Sequence, residues 1–151
     1  MKKPAGETHL SRMALAGLML LLLTGCAVKR TVAGGIPSEV ESVIGTISDD
    51  IAQERYEKVY NEASELWKHD STPKQSDETL KLLHTKLGKV ESRTVNSATE
   101  QQNSGGPLKG RAFIVTYQTK FELGEAMETF TLVEENGRWK LARYLVNSTA
   151  L

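Results

Sequence analysis

The sequence predicts an α+β domain in which N-terminal helices pack on an antiparallel sheet of about four strands. Three observations predict it. Apolar residues recur at intervals of three and four between residues 38 and 87, and after Gly88 the apolar period changes to two. The dipeptides Gly124-Glu125 and Asn136-Gly137, which favour tight turns, separate the alternating segments. Helices followed by strands are typical of the α+β class.

The first helical pattern runs from Ser38 to Lys68. Ser48 is the predicted start of a helix, because Asp49 and Asp50 follow it and acidic residues favour the positive end of the helix dipole. Apolar spacing extends upstream of Ser48, although a glycine at position 45 weakens the prediction of one continuous helix. The stripe facing the core is Ala52, Tyr56, Val59, Tyr60, Ala63, Leu66 and Trp67.

A second helix is predicted in the segment "STPKQSDETLKLLHTKLGKV". Ser71 or Ser76 is the predicted N-cap, and Gly88 stands where a left-handed residue ends a helix. Its apolar stripe is Leu80, Leu83 and Leu87.

Three strands are predicted after residue 109, and the segment from Val90 to Gln101 is predicted to add a fourth, more polar strand. Two-residue turns at Gly124-Glu125 and Asn136-Gly137 would pair Tyr117 with Leu132 and Phe130 with Arg143. Under this register one face of the sheet carries Phe113, Val115, Tyr117, Phe121, Phe130, Leu132, Trp139, Leu141 and Leu145.

Two charged residues, Glu128 and Arg143, also fall on this predicted apolar face. The register makes them diagonal neighbours, so the simplest interpretation is a mutually paired couple near the open end of the sheet. The alternative is a candidate pocket in which both residues, with Tyr117 and Trp139, orient a small ligand.

The N-terminus has the order of a secretory signal, with Lys2, Lys3 and Arg12 before an apolar core from Ala14 to Leu23. A retained membrane helix is the competing interpretation. The uncharged stretch of sixteen residues from Met13 to Val28 would reach only about 24 Å, against a hydrocarbon core of about 30 Å.

The segment Leu23-Thr24-Gly25-Cys26 resembles the lipobox of bacterial lipoproteins. The resemblance implies cleavage between Gly25 and Cys26, thioether acylation of Cys26, and a lipid bilayer as partner. Two or three acyl chains would give stable anchoring, whereas one chain binds with only about 10⁴ M⁻¹. Because Ala27, rather than Asp, follows Cys26, the resemblance favours the outer membrane in an organism that has one.

The predicted organisation is therefore a signal peptide over residues 1–25, a lipidated cysteine and tether over 26–38, and one α+β domain over 39–151. Removing the signal leaves 126 residues with 16 Lys and Arg against 18 Asp and Glu. This near-neutral balance argues against nucleic acid as a partner.

The domain resembles the family called domain of unknown function 4019, through the segments "RYEKVYNEAS", "KLGKVESR" and "NGRWKLARYLV" between Ile51 and Ser148. The resemblance implies a cystatin-like fold related to nuclear transport factor 2. Family members tend to have a small residue where this chain has Arg143, so a shared pocket does not follow from the resemblance.

No catalytic constellation, metal site or cofactor is predicted. His69 and His84 lack placed partners, and the only cysteine is Cys26. The sequence therefore favours a membrane-anchored, non-enzymatic module that binds an envelope protein or a small apolar ligand. The alternative is a small pocket enzyme of the isomerase or dehydratase type, since fold alone does not decide function.

Overall fold

A computed structural model describes residues 28–31 and 35–151. The predicted signal peptide and Cys26 lie outside the described residues. The elements, in chain order, are β1 (Val28–Thr31), α1 (Ser38–Ala52), α2 (Tyr56–Glu62), α3 (Glu65–Asp70), α4 (Pro73–Leu87), β2 (Val90–Asn103), β3 (Gly110–Phe121), β4 (Gly124–Glu135) and β5 (Arg138–Asn147).

The sheet is antiparallel with the order β1-β2-β3-β4-β5, and helices pack against it. The predicted α+β class is confirmed, and the four predicted strands are β2 to β5. The short strand β1 is additional. It lies within the segment predicted as a tether and pairs with residues Thr99 to Gln102 of β2.

The first helical pattern forms three helices rather than one. α1 begins at Ser38, so the predicted start at Ser48 is wrong, and Ser48 lies inside α1 with its hydroxyl donating to the carbonyl of Ile44 at 2.8 Å. Gly45 does not interrupt α1. The break comes after α1, where Glu54 adopts a left-handed conformation with φ 58°, which an L-residue rarely adopts within a helix.

The second predicted helix is α4, but its cap differs from the prediction. Thr72, and neither Ser71 nor Ser76, is the N-cap, and it forms a reciprocal capping box with Gln75. Ser76 is buried inside α4. Gly88 has φ 75° at the helix end, as predicted.

The turn between β3 and β4 is displaced from its predicted place. Phe121 pairs with Gly124, so the turn residues are Glu122-Leu123 instead of Gly124-Glu125. Tyr117 consequently pairs with Glu128 and not with Leu132. The partner moved by four positions, and because side chains alternate with a period of two, every residue of β3 and β4 keeps its predicted face.

The turn between β4 and β5 forms at Asn136-Gly137 as predicted, with positive φ at both residues and Leu132 paired with Leu141. A bulge then shifts the register. Phe130 therefore pairs with Tyr144 instead of Arg143, and Arg143 pairs with Thr131.

The bulge exchanges the two faces of β5 beyond Leu141. Tyr144 packs against the core, while Arg143 is exposed and Leu145 is 63% exposed. The predicted inward positions of Arg143 and Leu145 are therefore wrong. The main core combines helix and sheet residues: Val40, Ile44, Ile47, Tyr56, Val59, Ala63, Leu80, Phe113, Val115, Tyr117, Phe130, Leu132 and Leu141.

Candidate functional site

A fully buried carboxylate, Glu128 of β4, lies on the sheet's inner face. Arg93 of β2 donates two hydrogen bonds to it, from Nε to Oε2 at 2.6 Å and from Nη2 to Oε1 at 2.9 Å. The hydroxyl groups of Thr119 and Tyr144 each donate one further hydrogen bond to it, at 2.5 Å. Each carboxylate oxygen therefore accepts two hydrogen bonds, which compensates for burying the charge.

Arg93 connects this carboxylate to the helical layer. Its Nη1 donates to the hydroxyl of Ser48 in α1 at 2.6 Å. Its guanidinium lies 5.9 Å from the ring centre of Tyr117 and 5.5 Å from that of Phe130, within the range of cation–π attraction. The polar cluster of Glu128, Arg93, Thr119, Tyr144 and Ser48, called the Glu128 cluster below, thus joins α1 to four strands.

Arg93 was missed by sequence reasoning, which paired Glu128 with Arg143. That pairing is wrong because the bulge turns Arg143 to the exposed side of β5. The available signal was weak. β2 has no alternating apolar pattern, so only the need of a buried carboxylate for a cation on the neighbouring strands could have pointed to Arg93.

Burial is the largest cause that raises the pKa of Tyr144 well above its ordinary value, and the negative charge of Glu128 and their hydrogen bond raise it further. Burial likewise raises the pKa of Tyr117. Both phenols therefore stay protonated at neutral pH, and Tyr144 remains a hydrogen-bond donor to Glu128.

The second feature is a cleft of about 410 Å³ between α1, α2 and β5. A neighbouring cleft of about 580 Å³ shares Val43, Arg138 and Trp139 with it, so Trp139 lies where the two clefts meet. The first cleft, called the Trp139 cleft below, is lined by Val43, Thr46, Ile47, Asp50, Val59, Glu62, Ala63, Arg138, Trp139, Lys140 and Leu141.

Trp139 is fixed from two sides. Its ring meets Phe113 edge-on, with ring centres 6.2 Å apart, and the Arg111 guanidinium lies 5.1 Å from its ring centre. Arg111 itself is held by Glu100 and Glu134 at 2.9 and 2.8 Å. The indole is therefore a preorganised wall of the Trp139 cleft.

The structure does not bring the four predicted pocket residues together. Tyr117 and Glu128 are paired neighbours in the buried interior. Trp139 lines the Trp139 cleft, while Arg143 lines a separate cleft of about 480 Å³ between α3, α4 and β5. The predicted common pocket of Tyr117, Glu128, Trp139 and Arg143 is therefore wrong.

His84 lines a small cavity of about 30 Å³ together with Ser48, Arg93 and Tyr144 of the Glu128 cluster, whereas His69 lines none of the clefts described above. His84 Nδ1 is 2.9 Å from the hydroxyl of Tyr56, and His69 is exposed with Nδ1 3.0 Å from the carboxylate of Asp70. Within residues 28–31 and 35–151, His, Cys, Asp and Glu side chains form no group of three that could hold a metal ion. No helix in this part of the chain is long and apolar enough to cross a membrane.

Asp50, at the edge of the Trp139 cleft, is a second buried carboxylate. Lys58 Nζ donates to it at 2.7 Å and Arg55 Nε at 2.8 Å. Burial acts to raise the pKa of Asp50, but the hydrogen bonds and charges of Lys58 and Arg55 outweigh it and hold the pKa below its ordinary value. Asp50 is therefore ionised at neutral pH and ties the end of α1 to α2.

We expect Asp50→Asn to lower the free energy of unfolding at pH 7 by about 1.5–3 kcal/mol, the range for hydrogen bonds to charged groups. Because the folded pKa of Asp50 is depressed, its contribution is present above the unfolded pKa and is lost as pH falls through the folded value. The loss of stability below about pH 4 should therefore be shallower in the variant.

Urea unfolding between pH 2.5 and 7 measures this difference. Asp49→Asn is the matched control, because Asp49 is the exposed neighbour on the same helix. An Asp50→Asn variant with the same pH profile as the Asp49→Asn variant would contradict the role given to Asp50.

The family model described as "Protein of unknown function (DUF4019)" matches residues 46–144, which is more than half of the chain. This confirms the predicted resemblance to domain of unknown function 4019, and the match includes the Glu128 cluster and most of the Trp139 cleft. No curated protein sequence matches the chain.

Proposed function

We propose, since the chain belongs to the DUF4019 family of proteins of unknown function, that it is a lipid-anchored cell-envelope protein whose body acts as a non-enzymatic binding or adaptor module. The observation that carries the binding role is the Trp139 cleft. The cleft is open to solvent, the indole of Trp139 is a preorganised wall, and six of the cleft's eleven lining residues are apolar, so it offers an apolar group a surface with charged groups beside it.

The anchor is supported by the lipobox Leu23-Thr24-Gly25-Cys26 and the secretory pattern before it. We propose acylation of Cys26 and, because Ala27 follows it, retention at the outer membrane facing the periplasm in a diderm organism. The bilayer is then one partner of the protein, and the ligand of the cleft is the other.

The chemistry of the cleft indicates an amphiphilic ligand or an apolar side chain of an envelope protein. Val43, Ile47, Val59 and Leu141 supply apolar surface. The charged residues at the cleft are of both signs: Asp50, Glu62, Arg138 and Lys140. An apolar group would enter the cleft, while its polar neighbours would meet the charged groups.

A binding role is favoured over the enzyme alternative because the buried acids are already engaged. The oxygens of Glu128 accept four hydrogen bonds within the protein, and those of Asp50 accept bonds from Lys58 and Arg55. A general acid or base needs a titratable group within hydrogen-bond reach of the substrate. Every oxygen of these two carboxylates already accepts at least one hydrogen bond from a side chain of the protein.

We expect Thr46→Tyr to weaken binding of 1-anilinonaphthalene-8-sulfonate, an amphiphilic fluorescent probe, by about tenfold, which corresponds to about 1.4 kcal/mol. Thr46 is an exposed residue of α1 that lines the cleft, so a larger side chain there fills the cleft without entering the core. Fluorescence titration gives the dissociation constant.

Ser42→Tyr is the matched control. Ser42 is exposed one turn earlier on α1 and lines neither of the clefts that meet at Trp139. Equal affinity in the wild type and both variants would overturn the assignment of the binding site to the Trp139 cleft.

A further inference from the structure

We propose that the acylated protein stands on the bilayer with one particular end of its sheet against the lipid headgroups. This proximal end consists of the β2–β3 loop (residues 104–109) and the Asn136-Gly137 turn. The opposite distal end consists of the Glu122-Leu123 turn and residues 148–151. The inference rests on the proposed acylation of Cys26 and adds the orientation of the body, which acylation alone does not determine.

The length of chain between the anchor and the sheet carries the argument. β1 begins at Val28, two residues after Cys26, and two residues of extended chain span at most about 7 Å. Val28 pairs with Gln102, the last residue but one of β2. An acyl group on Cys26 would therefore be attached at most about 7 Å of chain from Val28, which lies at the end of β1 beside the β2–β3 loop.

The antiparallel register identifies what else lies at this end. Asn103 pairs with Gly110 on the two sides of the β2–β3 loop, and Ala112 pairs with Val133 shortly before β4 ends in the Asn136-Gly137 turn. The distal turn lies at the other end of the same strands. Because the 12 residues of β3 rise about 3.3 Å each, the two ends are about 40 Å apart.

The exposed charges do not by themselves choose between the two ends, so the orientation rests on the length of chain and the strand register. Lys109 in the β2–β3 loop and Arg138 after the Asn136-Gly137 turn are exposed, and neither forms an ion pair with another residue of the described part of the chain. Anionic headgroups attract basic residues and repel acidic ones, but the distal end carries both signs. Its turn contains Glu122 and precedes Glu125, and the exposed Lys89 lies beside it, with its amide donating to the Glu122 carboxylate at 2.8 Å.

The orientation also places the neighbouring cleft of about 580 Å³ on the membrane side. That cleft is lined by Gly137 and Arg138, which belong to or adjoin the proximal end, and it meets the Trp139 cleft at Trp139. The distal end, where Leu123 is 63% exposed, projects away from the membrane.

Site-specific fluorescence quenching tests the proposal on the full-length acylated protein. Thioether formation consumes the only native thiol, so an introduced cysteine is a unique labelling site. Ser104→Cys labels the proximal end and Leu123→Cys labels the distal end, and both positions are exposed. Each labelled protein is reconstituted into vesicles of phosphatidylethanolamine and phosphatidylglycerol, with and without nitroxide on a fraction of the headgroups.

We expect the nitroxide lipid to quench the fluorophore at position 104 strongly and to leave the one at position 123 unchanged. Flotation of the protein with the vesicles shows whether the anchor is intact. If it is, the orientation would be overturned by equal quenching at both positions, by stronger quenching at 123, or by no quenching at either position. Failure of the protein to float with the vesicles would instead overturn the proposed anchor, and the orientation with it.

Discussion

Glu128→Ala is expected to lower the free energy of unfolding by about 3–5 kcal/mol, the cost of breaking a buried ion pair by removing one partner. The variant leaves the Arg93 guanidinium, only 19% exposed, beside the rings of Tyr117 and Phe130 without its counter-charge. It also leaves the hydroxyls of Thr119 and Tyr144 without their acceptor. Each unsatisfied buried donor adds to the loss.

Urea unfolding of the mature chain, with Cys26 replaced by alanine in every protein compared, measures this effect. The double variant Glu128→Met with Arg93→Met is expected to recover most of the stability, because it removes both charges and keeps apolar volume. Recovery would show that the unpaired cation, rather than the lost volume of Glu128, causes the loss in the single variant.

Arg143→Leu separates the observed ion pair from the one predicted by the sequence. Arg143 is exposed and makes no hydrogen bond to Glu128, so the variant should remain within about 0.5 kcal/mol of the wild type. A large loss at Arg143 with a small loss at Glu128 would contradict the structure of the cluster.

The sheet was predictable to the extent that alternation determines faces. The β3–β4 turn was misplaced, yet Phe113, Val115 and Phe130 still lie in the core, because the error was an even number of residues. The Asn136-Gly137 turn was placed correctly, since both residues tolerate the positive φ that a type I′ turn requires.

The candidate site was not predictable in the same way, because it depends on one extra residue in β5. Nothing in "KLARYLV" distinguishes a regular strand from a bulged one, and the bulge decides whether Arg143 or Tyr144 faces inward. Arg93 was equally hidden, since its strand shows no alternation and its partner lies 35 positions away in the chain. Charged clusters built from several strands are tertiary features.

The helical layer shows the limit of periodicity. The apolar spacing from Ala52 to Trp67 continues across two breaks, so the pattern alone indicates one helix where three exist. The first break contains Glu54, whose left-handed backbone is accompanied by local hydrogen bonds, including the one from the amide of Arg55 to the carbonyl of Asp50 at 2.8 Å. Periodicity reports which residues are buried and not whether the backbone between them is continuous.

Cys26→Ala is expected to abolish both acylation and cleavage of the signal. Cys26 is the only thiol in the chain, so no other side chain can form the thioether. We expect the loss of membrane attachment to be a larger effect than any change in ligand affinity at the Trp139 cleft. The reason is that a second acyl chain converts the marginal, reversible membrane binding of about 10⁴ M⁻¹ given by one chain into stable attachment.

Intact-mass spectrometry of the protein purified from its native envelope distinguishes the outcomes. The wild type should begin at Cys26 and carry the added mass of two or three acyl chains, whereas Cys26→Ala should retain residues 1–25 and carry none. Fractionation alone is insufficient, since the apolar core of an uncleaved signal can itself hold a precursor at the membrane.

Thr24→Ser is the matched control, because it keeps a small side chain two residues before the cysteine and should be processed like the wild type. Gly25→Leu should block processing, since a large side chain beside the scissile bond hinders access of the peptidase to the backbone. A wild-type protein that begins at another residue, or that begins at Cys26 without acyl mass, would contradict the anchor. The folded body and its Trp139 cleft would then belong to a protein released from the membrane, and binding at the cleft would still be tested by Thr46→Tyr.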